Sequence, residues 1–179
     1  MNTSASFVRP MTADDLTTVL HWRNHPEVRR FMYTQHEITL QEHAHWFERC
    51  QPDPLRQLLV FEHQGLPAGF IHFTLQSHQQ IADWGFYLAP DAAKGTGSQL
   101  GFHALNYAFC ELRLHKVCGQ AIGYNDKSIR FHLKMGFQQE GTLRDQYYDG
   151  LNFHSIACFG LLAQEWHTHS QEMAQIAKR

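Results

Sequence analysis

The sequence predicts a single mixed α+β domain: a central, twisted, mostly antiparallel sheet of about seven strands with helices on both faces. Three observations carry that expectation. The chain has 179 residues, the length of one domain. Apolar residues make up 43% of it and charged residues only 18%, which is enough for a real core and unlike a disordered chain. Short apolar segments bounded by turn residues alternate with stretches of helical period, and a strand–helix–strand–helix run fills the second half. No internal repeat and no linker is visible. The domain is expected over residues 1–163, with a polar tail over 164–179 that is either a loose helix or disordered.

The elements follow in order. Phe7 to Met11 reads as a short first strand. Thr12 then precedes Asp14 and Asp15, and apolar residues recur at Leu16, Val19, Leu20 and Trp22, so a helix starts there with acidic residues at the positive end of its dipole. Pro26 suits the first turn of a short helix over Glu27–Met32. Ala44, Trp46 and Phe47 give a third helix, Leu40–Arg49, an apolar side, and Gln51-Pro52-Asp53-Pro54 breaks it. Strands are expected at Leu58–Glu62, Ala68–Leu75 and Ile81–Leu88, with turns at Gln64–Pro67 and Gln76–Gln80. From Ser98 to about Arg113, Leu100, Ala104, Leu105, Ala108, Phe109 and Leu112 share one side of a long helix. Lys116–Ile122 is a strand, and Asn125–Lys134 a short helix stopped by Gly136. The last strands, Gln138–Arg144 and Asn152–Leu161, are joined by a turn at Asp149-Gly150.

Composition excludes several function classes. The formal net charge is −2 and no Lys/Arg block stands out, which argues against nucleic acid and anionic membrane as partners. No apolar run reaches the roughly 20 residues of a membrane span, and Met1 to Ser6 has no signal-peptide pattern. Cys50, Cys110, Cys118 and Cys158 are scattered, so reduced, buried thiols in a cytosolic protein are the economical reading. The 14 histidines raise the question of metal. His43 and His45, like His167 and His169, stand two apart and would point to different sides of a helix, so no metal is expected.

Two stretches carry chemistry. Leu88-Ala89-Pro90-Asp91-Ala92-Ala93-Lys94-Gly95-Thr96-Gly97-Ser98 leaves a strand and opens the long helix. Closely spaced glycines and a helix N-terminus together form an anion site suited to a pyrophosphate. Leu100 stands where a dinucleotide fingerprint needs its third glycine, and no Walker sequence is present. The loop alone leaves two readings open, a ligand site and a helix start that uses glycines only to turn.

Downstream stands Asn125-Asp126-Lys127-Ser128-Ile129-Arg130-Phe131-His132-Leu133-Lys134-Met135-Gly136-Phe137. Together with the strand–GxG–helix about 30 residues earlier, it resembles the GNAT acetyltransferase superfamily across the second half of the chain. The resemblance implies a GNAT-type domain with a splayed cleft for acetyl-CoA as cosubstrate. Backbone N–H groups of Lys94, Gly95, Thr96, Gly97 and Ser98 would hold the pyrophosphate. Phe86, Tyr87 and Leu88 would offer strand backbone to the pantetheine arm. Asn125 and Ser128 would contact the cofactor, and Phe131 would pack on it, alongside a core role. The chain departs from the family pattern at Ala92, where Gln or Arg is usual, and at His132, where a tyrosine acid is usual. Histidine also donates protons, so His132 reads either as the acid for the departing thiolate or as a polar helix residue.

The first half carries Trp22-Arg23-Asn24-His25-Pro26-Glu27-Val28, then Met32-Tyr33, His36-Glu37-Ile38 and His43. This pattern resembles the aminosugar N-acetyltransferases of pseudaminic acid biosynthesis, over about Phe7 to Leu162. W-R-N-x-P-E-V also occurs in ribosomal-protein N-terminal acetyltransferases. The first resemblance implies a small-molecule UDP-aminosugar acceptor, with no nucleic acid and no membrane, and leaves a homodimer open. Arg23 and His43 can hydrogen-bond a diphosphate, and Trp84 can stack on a ring. The alternatives are that Arg23 braces the helix junction and that Trp84 is core. The implied mechanism is direct attack by the neutral amine on the thioester, with the oxyanion held by a strand N–H near Leu88. His72, Glu37 or a water chain would take the proton from the ammonium. The rivals are a peptide N-terminal acetyltransferase and a non-catalytic CoA- or nucleotide-binding regulator.

Overall fold

The computed structural model describes residues 6–76 and 80–177, with side chains described as far as residue 172. Met1–Ala5 and Ser77–Gln79, the middle of the expected Gln76–Gln80 turn, lie outside the described residues. The strands are β1 (Phe7–Pro10), β2 (Arg56–His63), β3 (Leu66–Leu75), β4 (Ile81–Leu88), β5 (Lys116–Ile122), β6 (Gln138–Tyr148) and β7 (Phe153–Leu162). They form one 7-stranded sheet in the order β1-β2-β3-β4-β5-β7-β6. Every neighbouring pair is antiparallel except β4 and β5. The helices are α1 (Leu16–Asn24), α2 (Pro26–Arg29), α3 (Leu40–Cys50), α4 (Thr96–Asn106), α5 (Asp126–Lys134) and α6 (Ala163–Ala177).

The period-2 alternation of the strands splits the core into two layers. On one face Leu59, Phe61, Ile71, Phe73 and Trp84 pack against Leu100, Leu105 and Trp166 of α4 and α6. On the other, Val60, Phe70 and Ala89 pack against Val19 and Trp22 of α1 and Phe47 of α3. Local chemistry sets the entries to α1 and α3. Asp15 accepts from Thr12 N–H at 2.8 Å and takes both terminal nitrogens of Arg9 at 2.7 and 2.8 Å, tying β1 to the turn before α1. At α3, Thr39 and Glu42 form a reciprocal capping box, with Thr39 N–H donating to Glu42 at 2.7 Å and Glu42 N–H to Thr39 Oγ1 at 3.2 Å. That cap turns His43 and Phe47 inward, and both are buried.

Several boundaries differ from the sequence reading. The helix expected to run to Arg113 ends at Asn106 and continues as a single wider π-type turn, Tyr107–Glu111. The short helix at Pro26 stops at Arg29 rather than Met32. β6 runs past Arg144 to Tyr148 through a bulge between Leu143 and Tyr147, where Asp145 takes a φ of 49°. The polar segment from Gln164 is helical, and its Trp166 is fully buried with Nε1–H donating to Asn106 Oδ1 at 3.0 Å.

The feature that shapes the site is the parting of β4 from β5. They pair only at Ile81–Lys116, Ala82–Val117 and Asp83–Cys118. Beyond that β4 stays on β3 as far as Leu88, and β5 stays on β7 as far as Ile122. Gln76 N–H bonds to Ile81 O, and Ala89 N–H to Ala68 O. Antiparallel ladders alternate, so Ile81, Asp83, Gly85 and Tyr87 bond to β3. The backbone groups of Phe86 and Leu88 therefore face the side that β5 has left.

Candidate active site

The open edge of β4 forms one wall of a cleft whose other parts are the start of α4 and the helix α5. Gly95, at φ 96°, turns the chain into α4, and a side chain there would meet nothing within 4 Å. Gly97 faces Leu88 and Phe131: an added Cβ would stand 3.5 Å from the first and 3.9 Å from the second. The Thr96 and Ser98 amides bond to the carbonyls of Ala93 and Gly95, so two of the five expected phosphate donors are already used within the turn. Lys94 is exposed beside them, and Thr96 is buried. Across the cleft Phe131 packs on Phe86 with centroids 4.7 Å apart. Lys134 Nζ donates to Ser98 Oγ at 2.8 Å, bridging α5 to α4. Asn125 caps α5, its Oδ1 accepting from Ser128 N–H at 3.1 Å. The cleft thus offers an unpaired strand edge, a helix N-terminus and two cations, which suits an extended chain ending in phosphates.

The opposite face of β4 carries a second group of side chains. Tyr87 lies 5.2 Å from Phe70, and Phe70 continues to His72 at 6.1 Å and Trp46 at 6.0 Å between ring centroids. Trp46 stacks on His43 at 5.0 Å and 16°. The His72 ring lies over Gly85, where any Cβ would collide with its Nε2. Burial holds His72 down to about 4, so it is neutral near pH 7. Arg23 reaches into this group from α1. Its Nη2 donates to Thr34 O at 3.0 Å, and its Nη1 is buried without a partner, as is Nε2 of His43. Burial lowers the pKa of both, and their mutual repulsion lowers His43 further. Two buried, unpaired polar atoms of this kind cost free energy unless a ligand satisfies them.

Three of the nearby carboxylates are engaged, whereas Asp83, close enough to act on His72, is exposed. Glu27 pairs with Arg30 at 2.8 Å, Glu37 with Arg29 at 3.6 Å, and Glu42 caps α3. The segment after α2 closes over this side: Tyr33 donates to Gln120 at 3.2 Å, and Gln35 donates to the Tyr147 hydroxyl at 3.0 Å.

Four sequence expectations need correction. His132 is only 1% exposed. Its Nδ1 bonds to the Ser128 carbonyl at 2.8 Å and its Nε2 accepts from Trp84 Nε1–H at 3.2 Å, so neither nitrogen is free to protonate a leaving group. Burial pushes its pKa down to about 4, which removes the imidazolium as well. Trp84 is not a stacking platform for the acceptor: it is 6% exposed and stacks on Phe137 in the core. Tyr87 bonds its backbone to β3, so only Phe86 and Leu88 of the expected trio keep free edge groups. The thiols are not all buried, since Cys110 is exposed. The sequence reading missed Trp46, the ring that does stack on His43, and Lys134 as a neighbour of the phosphate loop. Spacing gave a signal for both: Trp46 follows His43 by three residues on one helix, and Lys134 lies in the motif that carried the resemblance.

The chain is similar to known proteins in both sequence and fold. Residues 7–138 match the family model of the acetyltransferase (GNAT) domain. The chain is 26% identical over 141 residues to the acetyltransferase PseH of Campylobacter jejuni, covering 77% of this chain and 86% of that one. It is 24% identical over 143 residues to the spermidine N(1)-acetyltransferase of Escherichia coli K12, covering 79% and 77%. The fold matches that of the spermidine N-acetyltransferase from Vibrio cholerae, solved with CoA and spermine, with a TM-score of 0.85, 20% identity, and coverage of 93% and 99%.

Proposed function

This chain belongs to the acetyltransferase (GNAT) family, and we propose that the amine it acetylates is the 4-amino group of a UDP-linked 4-amino-4,6-dideoxy sugar, of the type made in pseudaminic acid biosynthesis. The enzyme is an N-acetyltransferase with acetyl-CoA as cosubstrate. The observation that carries the acceptor reading is the pair of buried, unpaired atoms, Arg23 Nη1 and His43 Nε2. A diphosphate satisfies both, and its charge offsets the cost of burying the guanidinium. Trp46, stacked on His43 and half-buried, offers a ring face beside them for the uracil. The likeness to PseH supports the same reading.

In the reaction the amine nitrogen adds to the thioester carbonyl, the C–N bond forms, and the C–S bond breaks. One proton leaves nitrogen and one reaches the thiolate, giving an amide and free CoA thiol. The phosphates of acetyl-CoA lie at Lys94, Gly95, Thr96, Gly97 and Ser98, with Lys134 beside them. Its pantetheine arm runs along the edge groups of Phe86 and Leu88, and Phe131, Asn125 and Ser128 line the facing wall. The developing oxyanion is held by an amide of the β4 edge. Transfer is direct. The two cysteines on the acceptor face, Cys118 and Cys158, have thiol pKa values pushed up by burial and are poor nucleophiles. His72 lies on the acceptor face beside Phe70 and over Gly85, but with its pKa held down to about 4 it is a weak base, and Glu37 is ion-paired at the surface, so a water chain takes the amine proton. Among the described residues no helix is long and apolar enough to cross a membrane, and we place the enzyme in the cytoplasm with its nucleotide-sugar acceptor.

The test is Arg23→Ala in the full chain, followed by thiol release. KM for the UDP-aminosugar should rise by about 10- to 100-fold, the value of one charge-assisted contact, with acetyl-CoA affinity nearly unchanged. Equal weakening of both substrates, or unfolding, would mean that Arg23 braces the helix junction instead.

A further inference from the structure

The last pair joining β4 to β5 is Asp83–Cys118, and the next residues are Trp84 and Gly119. A closed cluster sits at that parting point. Trp84 Nε1–H donates to His132 Nε2 at 3.2 Å, and His132 Nδ1–H to the Ser128 carbonyl at 2.8 Å. The His132 ring stacks on Phe159 of β7 with centroids 4.7 Å apart at 10°. Trp84 stacks on Phe137 at 5.2 Å and 16°. Gly119 lies under both rings: a Cβ there would collide with His132 Nε2 and stand 2.8 Å from Trp84 Nε1. The cluster therefore joins β4, β5, β7 and α5 at one point, and it fits only because residue 119 has no side chain. Trp84 is also the last residue on the β5 side of β4 before the free edge of Phe86 and Leu88, so whatever fixes its ring fixes where that edge begins.

We propose that His132 is a positioning residue: through Trp84 it forms the pivot at which β4 leaves β5, and so sets the place of the β4 edge groups against the acyl thioester. It rests on the cleft as the acetyl-CoA site and is independent of which amine is the acceptor. The proton reaching the thiolate then comes from the acceptor amine or water rather than from α5. A phenol at position 132 has one oxygen to serve two partners held by a ring of five atoms, so tyrosine does not reproduce the pivot.

Kinetics on the full chain test this, using whichever of a UDP-aminosugar, spermidine and an N-terminal peptide the wild type turns over fastest. Trp84→Phe keeps a ring and removes the N–H. Gly119→Ala alters neither partner but drives the two apart. Both should lower kcat by about 10- to 100-fold in folded protein, the scale on which small misplacement of reacting groups acts. The pH profile of kcat should keep its shape, since no proton donor has been lost. His132→Gln, which can still accept from Trp84 and donate to the Ser128 carbonyl, should retain more activity than His132→Tyr. Wild-type kcat in folded Trp84→Phe and Gly119→Ala would overturn the proposal. So would a His132→Tyr variant as active as wild type with its alkaline limb moved upward, the signature of a proton donor. A wild type that does not bind acetyl-CoA in calorimetry would overturn the cleft reading and the pivot with it.

Discussion

Acid should destabilise this fold through His132, and a non-titrating residue at that position should remove the effect. His132 is 1% exposed, and its ring neighbours are Trp84, Phe86, Phe131, Phe137 and Phe159, with no carboxylate among them. Burial pushes its pKa down to about 4, opposed only in part by the bond to the Ser128 carbonyl. In the unfolded chain the same group titrates near 6.5. Between those values the unfolded state binds a proton that the folded state refuses. The contribution is therefore complete above about pH 6.5 and is lost as the pH falls toward 4. Its size is about 2 kcal/mol from pH 7 to pH 5 and about 3 kcal/mol by pH 4. His72, also held near 4, adds a similar dependence of its own, so the informative quantity is a difference between two proteins. Urea unfolding of wild type and His132→Gln at pH 7 and pH 5 measures it. The variant should lose about 2 kcal/mol less over that interval. Parallel losses in the two proteins would show that His132 titrates normally and is not held as a buried, neutral imidazole.

Two further outcomes follow from the geometry. Gly97→Val should fold, because the new side chain has room against Leu88 and Phe131, yet it should weaken acetyl-CoA binding at least about tenfold by filling the approach to the α4 N-terminus; unchanged affinity in calorimetry would remove the loop from the site. Trp166→Ala should cost about 3–5 kcal/mol in denaturant unfolding, since the indole is fully buried against Phe102 and Phe109 and bonds Asn106, and a near-neutral result would show that α6 is dispensable to the core.

Much of this was legible in the sequence because local signals agreed. The seven strands and the two glycine turns at Gly95 and Gly136 are set by alternation and by positive φ, both short-range properties. Arg23 and His43 follow from the resemblance and from phosphate chemistry, and the structure leaves a buried nitrogen of each unpaired, with Arg23 close enough to act on His43. The misassignments share a different cause. Trp84 was grouped with Arg23, but strand alternation puts it on the face of Phe86 and Leu88, away from Tyr87, and that parity was available in the sequence. For His132 no such signal existed. Its position in the motif says where its Cα lies, whereas its role depends on Trp84 and Phe159, which are 48 and 27 residues away and meet it only when the sheet closes. The bulge at Asp145 and the π-type turn after Asn106 are likewise products of tertiary packing, and propensity alone does not report them.

We propose that Arg23 and His43 turn this acetyltransferase scaffold toward an anionic acceptor. Competition states it most directly: purified enzyme with acetyl-CoA, given a UDP-linked 4-amino-4,6-dideoxy sugar and spermidine at equal concentration, with the acetylated products resolved by mass. The kcat/KM for the sugar should stand at least about 100-fold above that for spermidine, the worth of a satisfied buried charge against a repelled one. Preferential acetylation of spermidine would contradict it, and the unpaired atoms of Arg23 and His43 would need another explanation.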